Sequence, residues 1–73
     1  MAPINRYAIV IEQAGSNYSA FVPDLPGCAA TGATRAEAER RIRTAITLHI
    51  EGLRADGLDV PEPTSTVATV EAT

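Results

Sequence analysis

The chain has 73 residues, 45% of them hydrophobic, with one cysteine, no tryptophan and a formal net charge of -3. A chain near 60 residues buries only about 60% of the surface that its unfolded form exposes, so a single domain of this size is marginal and gains from a second surface. One cysteine forms no disulfide within the chain, and no three or four good metal ligands stand at zinc-like spacing; self-association or a bound partner is the remaining source of support.

All the positive charges are arginines, outnumbered by Asp and Glu, which argues against a general nucleic-acid binder and suits a basic protein partner. No stretch approaches the roughly 20 apolar residues of a membrane span, and the first residues lack the basic-then-apolar layout of a signal peptide. With a lone unpaired cysteine, the expectation is a cytoplasmic protein without membrane contact.

Along the chain, Tyr7-Ala8-Ile9-Val10-Ile11-Glu12 is rich in β-branched and aromatic residues and reads as a central strand. Gln13-Ala14-Gly15-Ser16-Asn17 carries turn chemistry, and residues 17–22 return as a second strand, giving a hairpin. Pro23 lacks the amide donor a ladder needs and Pro26-Gly27 favours a tight turn, so the second strand stops near Val22 and the chain bends. Cys28-Ala29-Ala30-Thr31 is expected as a short third strand.

Thr34-Arg35-Ala36-Glu37 has the form of a capping box, in which the Thr34 hydroxyl and the Glu37 carboxylate each satisfy a backbone amide at a helix start. Glu37 with Arg41 and Glu39 with Arg43 stand four apart with the acid first, the favourable orientation. Asp56-Gly57-Leu58 ends the helix, with Gly57 left-handed and Leu58 folding back on Leu53. A spacing of 100° per residue sets Ala38, Ile42, Ala45, Ile46 and Leu53 on one stripe that covers the sheet. After the extended connection 59–63, residues 64–70 look like a fourth strand, with 71–73 as a tail. The reading is one α+β domain over residues 1–73, its core at about 5–58 and its order β-β-β-α-β, with one helix packed on a small sheet.

The chemistry-bearing residues are sparse. His49 is the single histidine and falls between Ala45 and Leu53, where a core-edge imidazole bonded to backbone is the natural reading. Cys28 has no nearby base to activate it and reads as packing. The acids do not converge as a two-metal nuclease requires, and the glycines match no phosphate loop or dinucleotide fingerprint. No catalytic residue, metal site or cofactor is expected. Leu48 points away from the buried stripe. One helix also cannot cover both the Tyr7, Ile9 and Ile11 side of the sheet and the Ala8 and Val10 side, which leaves a second contact surface.

Taken together, "RYAIVIEQAGSNYSAFVPDLPGCAATGATRAEA" and "LHIEGLRADGLDVPEP" resemble the HicB-type antitoxin family over about residues 6–63, most specifically at Pro23-Asp24-Leu25-Pro26-Gly27-Cys28 with Gly32 and Thr34, and at Leu48-His49-Ile50-Glu51-Gly52-Leu53. The resemblance implies a β-β-β-α-β unit likened to a partial ribonuclease H fold. It also implies an antitoxin that covers the active site of a small basic HicA-like toxin that cleaves mRNA. Likeness to a nuclease fold does not carry nuclease activity. Many members of that family continue into a DNA-binding domain; none is visible here, so operator binding is expected from another chain if at all.

Most of the Pro23 to Thr34 stretch is then architectural: Pro23 and Pro26 end a strand, Gly27 turns the chain, and Gly32 and Thr34 lead into the helix with Glu37. Asp24 and Leu25, at a loop tip, join Leu48 as expected partner contacts. A homo-oligomer, dimer or tetramer, is expected alongside the toxin. The competing readings are a stand-alone, non-catalytic regulatory module of the same fold and a weak nucleic-acid binder.

Overall fold

A computed structural model describes residues 6–72. Three strands and one helix follow in order: β1 (Val10–Ala14), β2 (Asn17–Phe21), β3 (Ala29–Gly32) and α1 (Arg35–Ala55). The strands form one antiparallel sheet of order β1-β2-β3 with α1 laid across one face, the α+β arrangement expected.

The hairpin turns on two residues, Gly15 and Ser16, because Ala14 pairs with Asn17. Gly15 has φ +62 and no non-glycine residue has positive φ, the pattern of a type II′ turn, whose twist matches the strands it joins. The first strand therefore runs on to Ala14, two residues past the expected end at Glu12. It also starts at Val10 and not at Tyr7. Val10 pairs with Phe21, so continuing the register would set Ala8 opposite Pro23, which has no amide to offer.

Between β2 and β3 two turns follow head to tail. Leu25 N–H donates to Val22 O at 3.1 Å and Cys28 N–H to Leu25 O at 3.0 Å, while Val22 N–H reaches Cys28 O at 3.1 Å and closes the base of the loop. Pro26 followed by Gly27 at φ +84 supplies the two central positions of a type II turn. This double turn folds Leu25 back into the protein, where it is 0% exposed beside Ala20, Val22, Cys28, Ala38 and Ile42. The expectation that Leu25 stands at a loop tip for a partner is therefore corrected: the loop exists to insert this side chain into the core.

The helix opens as its sequence requires. Glu37 N–H donates to Thr34 Oγ1 at 3.1 Å, and the Glu37 carboxylate accepts from Ala33 N–H at 3.0 Å, one residue before the cap. Those contacts, the Ala33 amide first and the nearby Arg41 next, hold the Glu37 carboxyl below its ordinary range. The Glu37–Arg41 and Glu39–Arg43 pairs form at 3.4 and 3.2 Å, but both are exposed and add little. At the other end Gly57 has φ +70; Gly57 N–H donates to Arg54 O and Leu58 N–H to Leu53 O, a Schellman closure. Ala38 and Ile42 are buried, with Ala45, Ile46 and Ile50 packed around them.

Residues 64–70 do not form the expected fourth strand: residues 58–72 hold no helix or strand, and Thr64 and Ser65 are instead engaged by Asp24. The helix meets the sheet most closely over Gly32. A Cβ placed there would lie 2.5 Å from Ala38 N and 3.0 Å from Ala38 Cα, so the first turn of α1 rests directly on β3. Gly32→Ala is therefore expected to destabilise the fold by about 1–3 kcal/mol, as overpacking of a rigid contact does. Urea denaturation followed by helix ellipticity checks this; an unchanged midpoint would show that the contact yields freely.

Candidate functional site

Alternation along the strands sorts the sheet into two faces. The cross-strand rows Ile11–Ala20–Ala30 and Gln13–Tyr18–Gly32 lie on the helix side, and Tyr7 and Ile9 also pack against the core. The opposite face carries the row Val10–Phe21–Ala29 beside the row Glu12–Ser19–Thr31. No element covers it among the described residues, and Phe21 is 40% exposed above a shallow depression lined by Ser19, Phe21, Ala29 and Thr31. The second contact surface expected from the sequence is thus the Val10 side.

A second exposed region follows the outer side of α1. Leu48 is 62% exposed at the end of a groove lined by Glu37, Arg40, Arg41, Thr44 and Ala45. One turn further on, Gly52 is exposed, and a Cβ built there would meet nothing within 4 Å. Glycine inside a helix costs about 1 kcal/mol against alanine. No contact inside this chain explains that cost. Around Leu48 and Gly52 the helix carries Glu51 and Asp56 against Arg54, whereas its first half carries Arg35, Arg40, Arg41 and Arg43 against Glu37 and Glu39.

Asp24 is occupied by the chain's own C-terminal segment. Its Oδ2 accepts from Thr64 N–H at 3.0 Å and Ser65 N–H at 2.9 Å, and its Oδ1 accepts from the Thr64 hydroxyl at 3.1 Å and the Ser65 hydroxyl at 2.8 Å. Both carboxylate oxygens are thereby satisfied across 40 residues of sequence. The Ser65 amide, then its hydroxyl, and the Thr64 donors hold the Asp24 carboxyl below its ordinary range. Nearby, the Tyr7 hydroxyl donates to Pro61 O, and burial, with the charges of Glu62 and Asp24, pushes the phenol up so that it stays a donor. Two long-range anchors thus fix residues 61–65. The carboxylate expected to meet a partner serves first as a clasp, which sequence reasoning missed because its partners lie beyond any local spacing rule.

The remaining candidates sit away from these surfaces. Cys28 is buried, and burial pushes its thiol up. His49 is half-buried on the flank of α1. Among the described residues no three His, Cys, Asp or Glu side chains gather as metal ligands, and no helix is long and apolar enough to cross a membrane.

The described residues thus form a small sheet with one sheltered face and one helix that carries an exposed leucine. The chain belongs to the HicB_like antitoxin family of bacterial toxin-antitoxin systems, whose model matches residues 7–73. It is 41% identical over 56 residues to an uncharacterized 14.9 kDa protein in the rep-hol intergenic region of Haemophilus phage HP1, covering 77% of this chain but 42% of the phage protein. It is also 41% identical to a UPF0150 protein of Helicobacter pylori, over 85% of this chain and 88% of that protein. A UPF0150 protein of Synechocystis is 40% identical over 81% of this chain and 76% of its own length. No solved structure matches the chain.

The clasp gives a pH signature whose sign is fixed. A carboxyl depressed by folding contributes its full stabilisation above the ordinary Asp value of about 3.9 and loses it as pH falls through the depressed value. The Thr64 and Ser65 amide resonances should therefore hold their docked positions at pH 7 and 5 and collapse toward unstructured positions only below about pH 4. Asp24→Ala should release them at neutral pH. Amide shifts indifferent to both treatments would show that the clasp does not form in solution.

Proposed function

We propose that this protein is the antitoxin of a HicA/HicB-like pair and acts in the cytoplasm by binding a small basic mRNA-cleaving toxin and covering its active surface. The observation that carries the reading is Leu48, 62% exposed on α1 beside the bare Gly52, on a member of an antitoxin family. An apolar anchor next to a glycine lets a partner backbone approach closely, and the chain's net charge of -3 favours a basic partner. Leu48 is the anchor of the toxin contact, and Asp24 contributes indirectly by holding the C-terminal segment in place. Inhibition is by steric cover, without chemistry on the toxin.

The test is to search the neighbouring reading frames for a small basic protein and co-express it with this chain, scored by growth rescue and by co-purification. Rescue is expected. Leu48→Asp should weaken the complex about tenfold or more, since the new carboxylate would be buried without a partner, while the thermal transition of the free protein stays in place. Rescue by the wild type that survives Leu48→Asp undiminished would remove the helix from the interface, and no rescue by the wild type would remove the antitoxin assignment.

Opposite net charge speeds encounter more than it deepens affinity. The association rate measured by stopped flow should fall as salt rises from 0.05 to 0.5 M, roughly in step with the shrinking Debye length, while the dissociation rate changes less. A flat association rate would count against the charge contribution.

A further inference from the structure

The segment after Ser65 has strand chemistry but no strand to join. Thr66, Val67, Thr69 and Val70 are β-branched, yet Val67 is 71% exposed and Val70 89%. Among the described residues no backbone hydrogen bond ties residues 66–72 to the rest of the chain. The route explains why. Pro61 lies by Tyr7, just before β1, but by Thr64 and Ser65 the chain has reached Asp24 in the β2–β3 loop. Between Pro61 and Ser65 the chain thus shifts from the β1 side toward the β2–β3 loop, away from the outer edge of β1. The dimensions agree: the radius of gyration is 13.8 Å and the longest extent 44 Å, against about 11 Å expected of a compact domain of this length.

Among the described residues the outer edge of β1 is also unpaired. In an antiparallel pair, alternate residues turn their backbone groups toward the neighbour. The Val22–Cys28 bond sets that alternation: residues 18 and 20 of β2 face β3, and residues 17, 19 and 21 face β1. Val10, Glu12 and Ala14 are thereby paired inward, leaving Ile11 and Gln13 with outward N–H and C=O groups. Natural sheet edges are usually blunted by proline, lysine or a covering side chain. On β3, Arg41 Nη1 donates to the outward Thr31 O at 3.2 Å. β1 has no proline and no lysine, and Glu12 is its single charge.

We propose that residues 66–72 add as a strand to the outer edge of β1 in a second copy of this chain, each copy giving one strand and receiving one. Both halves of the contact are present in one sequence, so a two-fold arrangement satisfies donor and acceptor together and closes the assembly. The side chains fit both faces. Val67 and Val70, three apart, point to opposite sides of a strand, so in the added strand one valine faces the helix side and the other the open side that carries Val10, Phe21 and Ala29. The exchange needs no toxin and is tested without one.

Mixing isotope-labelled with unlabelled full-length protein and recording isotope-filtered NOE spectra is the direct test. Contacts between the Val67 and Val70 methyls of one copy and the β1 edge of the other are expected, in a species that sedimentation equilibrium reports as a dimer. Consecutive residues of a strand donate to opposite sides, so the double variant Ala68→Pro with Thr69→Pro removes a ladder donor in any register. It should raise the dimer dissociation constant about 100-fold or more and abolish the intermolecular contacts, with helix ellipticity retained. Truncation after Ser65, which keeps the clasp, should do the same. A monomeric wild type, tail contacts only within one copy, a tail ordered only on adding toxin, or a dimer equally tight in both variants would each overturn the proposal.

Discussion

A single helix can shelter only one face of a three-stranded sheet, and the rest of this structure follows from that shortage. The sheltered face is built to bring α1 as near as the backbone allows: Gly32 offers no Cβ where Ala38 arrives, and Leu25 is folded inward to join Ala20, Val22, Cys28, Ala38 and Ile42 in the core. What is left over is specific. It comprises an apolar row from Val10 to Ala29 on the back of the sheet, a leucine and a bare glycine on the outside of the helix, and an edge strand without protection. A protein of this size that encloses so little by itself fits membership of a family whose members work in pairs with another protein.

The three surfaces are compatible because they lie apart. The helix's outer side and the open sheet face are on opposite sides of the two-layer structure, and the β1 edge runs between them.

Local chemistry was readable in the sequence wherever it is governed by neighbouring residues. Thr34 and Glu37 marked the helix start, Gly57 its end, and the apolar spacing from Ala38 to Ile46 its buried side, whereas Ile50 and not the expected Leu53 packs against the core; each of these signals depends on residues within a turn or two. Strand limits were less legible because they are set by the partner: β1 begins where Pro23 stops offering an amide opposite it. The Pro-Asp-Leu-Pro-Gly loop was correctly read as a bend, but a polar, proline-rich string suggested that its tip faces outward, and the inward direction of Leu25 depends on two stacked turns whose hydrogen bonds no spacing rule reveals. The fourth strand failed for a related reason. Propensity favours a strand at residues 64–70, but a carboxylate 40 positions earlier captures the segment's first two residues and sends the remainder outward.

Cys28 closes the base of that same loop, buried and with its thiol pushed up. Because it is the chain's lone sulfhydryl, alkylating reagents have a single target, and that target becomes available only when the double turn lets go of the core. The rate of its labelling is therefore a built-in gauge of how often the domain breathes, and it would slow about tenfold for every ~1.4 kcal/mol that a bound protein adds to the stability of the closed form.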